Sequence, residues 1–143
     1  MRAASLLLVL FVLAGCGSAI QVEPPVPEGE AAAACQRLAG LLPATLDGDD
    51  RAESAPRSPY VAVWGAGTLA LRCGVPRPPR MEPTAQLQEI NGVGWFADPE
   101  KPTLFTAVAA PVYVEVTVGG SHQAADVLAD LSGPIGQVSP QTR

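Results

Sequence analysis

Val112-Tyr113-Val114-Glu115-Val116-Thr117-Val118 is the most regular stretch of the chain. Four valines alternate with Tyr113, Glu115 and Thr117. A period of two puts the valines on one face of a strand and the other three side chains on the opposite face. β-branched residues also fit a pleated surface better than a helix. A strand with one apolar face needs a layer to cover it, and its neighbours in sequence supply both more sheet and the cover.

Downstream, Gly119-Gly120 ends the strand. Ser121 then serves as N-cap of a helix through Leu131, with Val127, Leu128 and Leu131 toward the sheet. Gly133-Pro134 is expected to close that helix, and residues 136–143 to form a frayed tail. Upstream, Ala110-Pro111 breaks the strand over 103–109. The turn Asp98-Pro99-Glu100-Lys101-Pro102 precedes it, and Gly94-Trp95-Phe96 begins one more strand. Residues 83–90 are expected to form a short helix, with Leu87 and Ile90 inward and Asn91-Gly92 as its stop. Residues 74–80 are too rich in proline for a central strand. Before them, residues 60–64 and 68–73 read as a hairpin around Gly65-Ala66-Gly67.

Residues 45–59 read as a polar loop. Its Asp47-Gly48-Asp49-Asp50-Arg51 start has a calcium-loop look, but Arg51, Ala52 and Ser58 stand where an EF-hand needs an acid or amide, a glycine and a glutamate. A solvated acidic turn is the expectation. Residues 31–42 read as a helix, with Ala31, Cys35, Leu38 and Leu42 at helical spacing and Pro43 as its end. The sum is an α+β domain over residues 31–135. Its sheet is mostly antiparallel, of about five strands, with two to three helices packed on one face. The alternative is a small all-β sandwich with peripheral helices.

The N-terminus sets the compartment. Met1-Arg2 precedes an apolar run of about a dozen residues, the length of a signal sequence, where a spanning helix needs roughly 20. The run ends in Leu13-Ala14-Gly15-Cys16. Small residues before a cysteine let a peptidase approach the backbone, and the thiol accepts a diacylglyceryl group. Residues 1–15 therefore read as a lipoprotein signal peptide. Cys16 reads as the lipid-attachment site, anchoring the protein at the extracytoplasmic face of the cell membrane through acyl chains such as palmitate. Residues 16–30, with Pro24, Pro25 and Pro27 among Glu23, Glu28 and Glu30, read as an extended, solvated tether. Fully extended, it would lift the domain by up to roughly 40 Å.

Composition excludes several functions. Without residues 1–15 the chain has 128 residues, enough for one domain. It keeps 14 acidic groups against eight basic ones, a balance of −6, which argues against nucleic acid as a partner. Once Cys16 is acylated, Cys35 and Cys73 remain, an even pair in an oxidising compartment, so a disulfide is expected. His122 is the one histidine and no Cys-x-x-Cys is present, so no metal or other cofactor is expected.

Several of these stretches occur together in one known pattern. They are Cys35-Gln36-Arg37-Leu38 running to Leu42-Pro43, Ala62-Val63-Trp64-Gly65, and Leu71-Arg72-Cys73-Gly74-Val75-Pro76-Arg77-Pro78. With Gly92-Val93-Gly94-Trp95-Phe96 and the strand at 112–118, they resemble the actinobacterial domain-of-unknown-function family numbered 3515. The resemblance implies a secreted or lipid-anchored protein of the cell envelope and supports the pairing of Cys35 with Cys73. It carries no catalytic residue.

Nor do the residues themselves assemble a catalytic group. His122 reads as a solvent-exposed residue at a helix start, and Ser121, His122 and Asp126 are too close in sequence to set nucleophile against base. Trp64, Arg72, Trp95 and Tyr113 form the candidate binding surface, because aromatic and guanidinium groups on adjacent strands recognise sugars and peptides. The competing reading buries both tryptophans in the core. Arg72, Arg77 and Arg80 also make a small cationic patch suited to an anionic envelope polymer. The expected function is a non-enzymatic interaction module that contacts an envelope protein or cell-wall component. The alternative is a ligand-binding lipoprotein for a cell-wall fragment, sugar or peptide.

Overall fold

The structure, a computed structural model, describes residues 17–139. In chain order its elements are β1 (Ile20–Gln21), α1 (Gly29–Ala39), β2 (Thr45–Leu46), β3 (Asp49–Ala52), β4 (Ser54–Ala55) and β5 (Val61–Trp64). Then come β6 (Leu69–Val75), β7 (Gln88–Ile90), β8 (Val93–Ala97), β9 (Leu104–Ala109), β10 (Val112–Val118) and α2 (Ala124–Val138). Eight strands form one sheet in the order β2-β3-β5-β6-β10-β9-β8-β7, with every pair antiparallel. β1 and β4 make a separate two-residue parallel ladder.

β10 lies between β6 and β9, and its valines face inward as their period requires. Register places Val114 opposite Cys73 and Ala107, and Val116 opposite Leu71 and Phe105. That inner face extends to Ala62 and Trp64 on β5 and to Val93 and Trp95 on β8. Both helices cover it. Ala34, Cys35 and Leu38 of α1, with Val127, Leu128, Leu131, Ile135 and Val138 of α2, complete one continuous core. The disulfide Cys35–Cys73 ties α1 to β6 across a Cα–Cα distance of 5.6 Å, both residues being buried. The helices-on-one-face architecture is the one expected, and the sandwich alternative fails.

Five points differ from the expectations. The sheet has eight strands, because residues 45–59 and 88–90 supply short polar ones. Asp47 (φ 46°) and Gly48 (φ 86°) close a two-residue hairpin between β2 and β3. Asn91 (φ 49°) and Gly92 (φ 81°) close the equivalent turn between β7 and β8, so Asn91-Gly92 begins a hairpin where a helix stop was expected. Both are the left-handed turns that match strand twist.

The short helix expected at 83–90 is absent, and β7 takes its last three residues. α2 starts at Ala124 with Gln123 as N-cap, and Ser121 does not cap it. It also runs through Gly133-Pro134 to Val138, so the tail begins later than expected. Pro134 leaves the Asp130 carbonyl without a helical donor, but Asp130 is exposed to water. Burial of Ile135 and Val138 holds the last turn in place. Residues 1–16, with the apolar run and Cys16, and residues 140–143 lie outside the described residues.

The fifth difference concerns the tether. Residues 20–27 are extended, but they lie along the outer face of the sheet beside β6. The Ile20 amide donates to the Glu53 carbonyl at 2.9 Å and the Val22 amide to the Ala55 carbonyl at 3.1 Å. The Glu23 carbonyl accepts from Arg72 Nε at 3.0 Å. Pro27 crosses over Gly74, a positive-φ residue (88°) at the register shift between β6 and β10. Proline composition keeps this segment from folding on itself. It does not prevent the sheet from binding it.

Candidate functional site

The four residues of the candidate surface fall on opposite sides of the sheet. Trp64 and Trp95 are on the inner face and fully buried. Trp64 Nε1 donates to the Pro43 carbonyl at 3.1 Å, just beyond α1. Trp95 Nε1 donates to Ser132 Oγ of α2 at 3.0 Å, and Ser132 donates on to the Leu128 carbonyl. Indole rings satisfied in this way are packing anchors. Arg51 covers the Trp64 end of the sheet with its guanidinium 4.9 Å from the ring centroid, and partial burial lowers its pKa from the ordinary value. Arg72 and Tyr113 lie on the outer face, so the candidate four-residue surface does not assemble and both tryptophans take the core reading.

The outer face carries a different feature. A cleft of about 370 Å³ opens between the sheet and the proline-rich segment 76–80. Arg72, Glu115 and Thr106 form its floor, Arg77 and Arg80 stand on one wall, and Asp98, Glu100 and Lys101 on the other. Four of the chain's nine Lys and Arg residues gather here, in a protein whose net charge is −5.

Two of these cations are already paired. Arg72 Nη1 meets Glu115 Oε1 at 2.9 Å, and Arg80 meets Glu100. Two carry no carboxylate partner among the described residues. Arg77 is aimed by its own loop, donating from Nε and Nη2 to the Met81 carbonyl at 3.2 and 2.7 Å. Lys101 follows a turn in which Asp98 Oδ1 accepts the amides of Glu100 and Lys101. Thr106 is 3 % exposed and contributes to the cleft lining. The chemistry of this set suits a carboxylate or phosphate group. Arg77 and Lys101 would supply charge, and Thr106 a neutral hydrogen bond.

His122 is not exposed as expected; its side chain is 14 % exposed. Nδ1 lies 2.7 Å from Asp47 Oδ2, and Nε2 lies 3.1 Å from Asp49 Oδ2 and 3.3 Å from Thr68 Oγ1. Thr68, His122 and Asp47 thus have the connectivity of a nucleophile, base and orienting acid. Asp49 Oδ2 crowds the same nitrogen at 3.1 Å, beside the Thr68 hydroxyl. The arrangement instead pins the β2–β3 turn to the loop before α2. A charge-pattern search of the 45–51 stretch could not find it, because the ring that organises it comes 75 residues later than Asp47.

Among the described residues there is no group of three or more histidine, cysteine or acidic residues placed to hold a metal ion. No helix among them is long and apolar enough to cross a membrane.

A family model described as a protein of unknown function, DUF3515, matches residues 3–143, nearly the whole chain. The chain belongs to this family. Membership agrees with the resemblance drawn from the Cys35, Trp64, Cys73 and Trp95 segments. No curated protein and no solved structure matches this DUF3515 chain. Its chemistry therefore has to be read from its own residues.

Proposed function

We propose that this DUF3515 chain is an extracytoplasmic lipoprotein, anchored through acylated Cys16, whose domain is a non-enzymatic interaction module of the cell envelope. The observation that carries the reading is Leu13-Ala14-Gly15-Cys16 directly after a signal-length apolar run. Two findings support it. The family match begins at residue 3, inside that run. Cys35 and Cys73 are bridged, a bond that persists in oxidising compartments and is rare in the cytosol.

The outer cleft is where the module would take its partner, through an anionic group set against Arg77 and Lys101. A second reading, recognition of a small anionic cell-wall fragment or peptide, rests on the same cleft, with Thr106 in its lining.

Cells grown with an alkyne fatty acid test the anchor. The wild-type protein should carry the label and partition with membranes, and Cys16→Ser should lose both. Labelled membranes lacking this chain at its mature size would refute the reading. Photo-cross-linking from position 104 in the cleft lining, in intact envelopes, then separates a protein partner from a saccharide or peptide ligand by the mass captured. An Arg77→Ala, Lys101→Ala variant should lose the adduct.

A further inference from the structure

Residues 20–27 do not behave as a stalk. Ile20 and Gln21 pair with Ser54 and Ala55, and the segment then runs alongside β6 to Pro27. The sheet is shaped to receive it at both ends. Gly67 (φ 89°) leaves room for Ile20, whose Cγ2 would lie 2.8 Å from a Cβ there. Gly74 does the same for Pro27, at 2.5 Å. Arg72 holds the middle through the Glu23 carbonyl.

We infer that the domain is held directly against the lipid headgroups, with residues 17–21, β4 and the 65–67 turn as the membrane-facing end. This rests on the acylation of Cys16 proposed above. Four residue steps separate Cys16 from Ile20, a reach of at most about 14 Å. The headgroup layer takes roughly 5–8 Å of that. Little water is left between the bilayer and the domain.

Charge does not bring this end to the membrane. The residues nearest the anchor, Gly17, Ser18, Ala19, Gly65 and Ala66, are small and uncharged. Glu53 is paired with Arg57, and Asp47 and Asp49 flank His122 close to the same turn. Such a surface has no excess of positive charge to attract anionic lipid. Chain length alone enforces the approach, so it holds at any ionic strength and on neutral lipid.

The test uses the mature lipoprotein purified from membranes. Its Cys16 sulfur is blocked by the thioether and Cys35 is bridged to Cys73, so one engineered thiol is labelled selectively. A fluorophore is placed at Ala66→Cys, on the exposed turn between β5 and β6, or at Glu89→Cys on β7. The protein is reconstituted in phosphatidylcholine vesicles carrying a headgroup quencher. β7 lies five ladder steps from β5, about 24 Å across the sheet. Register carries Glu89 through Gly94, Val108 and Tyr113 to Val75, the end of β6 away from the 65–67 turn. Quenching should therefore be at least about threefold stronger at position 66 than at 89. The ratio should not change with salt or with added anionic lipid. A Gly/Ser linker of about 12 residues between Cys16 and Gly17, with a mean span near 19 Å, should reduce the ratio toward one. Equal quenching at 66 and 89 in protein whose mass includes the acyl chains overturns this inference alone. A mass without acyl chains overturns the lipoprotein reading with it.

Discussion

Replacing Gly74 by alanine tests whether the N-terminal segment belongs to the fold. Two costs add. An alanine at φ 88° occupies a left-handed conformation, about 1–2 kcal/mol above its ordinary one. The new Cβ would also sit 2.5 Å from Pro27 Cβ and 2.7 Å from its Cγ, and a proline ring cannot swing aside. Overpacking of this kind costs about 1–3 kcal/mol. The sum is about 2–5 kcal/mol, limited by what it costs the segment to lift away.

Urea unfolding of the oxidised chain lacking residues 1–16 measures it. Pro27→Gly removes the ring, so the double variant should recover the overpacking cost of about 1–3 kcal/mol and keep the backbone cost. Amide exchange supplies the local readout. The Ile20 and Val22 amides, bonded to Glu53 and Ala55, should be protected in the wild type and exchange faster in Gly74→Ala. A Gly74→Ala cost below about 0.5 kcal/mol, or no coupling to Pro27→Gly, would show that the segment does not lie on β6.

Opening the Cys35–Cys73 bridge, which closes a separation of 38 residues, should lower stability by up to about 4 kcal/mol, read as a lower urea midpoint after reduction. Trp64→Ala should cost about 3–5 kcal/mol with no change in any binding measured at the cleft, because the ring is fully buried on the far side of the sheet. His122→Ala should cost about 1 kcal/mol, below the usual figure for a charged hydrogen bond because Asp47 and Asp49 are about a third exposed. It should also speed exchange of the Arg51 amide, which bonds the Ala44 carbonyl in the hairpin it pins. Arg72→Ala should speed exchange at Ile20 and Val22, since its Nε holds the Glu23 carbonyl over β6.

Periodicity made much of the sheet readable in advance. At 112–118 and 69–73 every second residue is apolar, and a strand half covered by helices permits no other phase. Edge strands carry no such signal. Asp49, Asp50 and Arg51, or Gln88 and Glu89, look like loop, and their pairing became visible only once Asp47-Gly48 and Asn91-Gly92 were seen to turn with positive φ. β5 was legible as a strand but had no readable phase. Val61, Ala62, Val63 and Trp64 are all apolar, so only the covering layers decide which side faces the helices.

The central strands, the α1 helix and the Leu13-Ala14-Gly15-Cys16 motif are readable from the sequence, because each depends on neighbours a few residues apart. Tertiary structure alone decided the course of residues 20–27. Their prolines give no local hydrogen bonds, and what binds them is a groove made by Gly67, Arg72 and Gly74, nearly fifty residues further along the chain. The same holds for the cleft and for His122, whose partners are brought together only when the sheet closes.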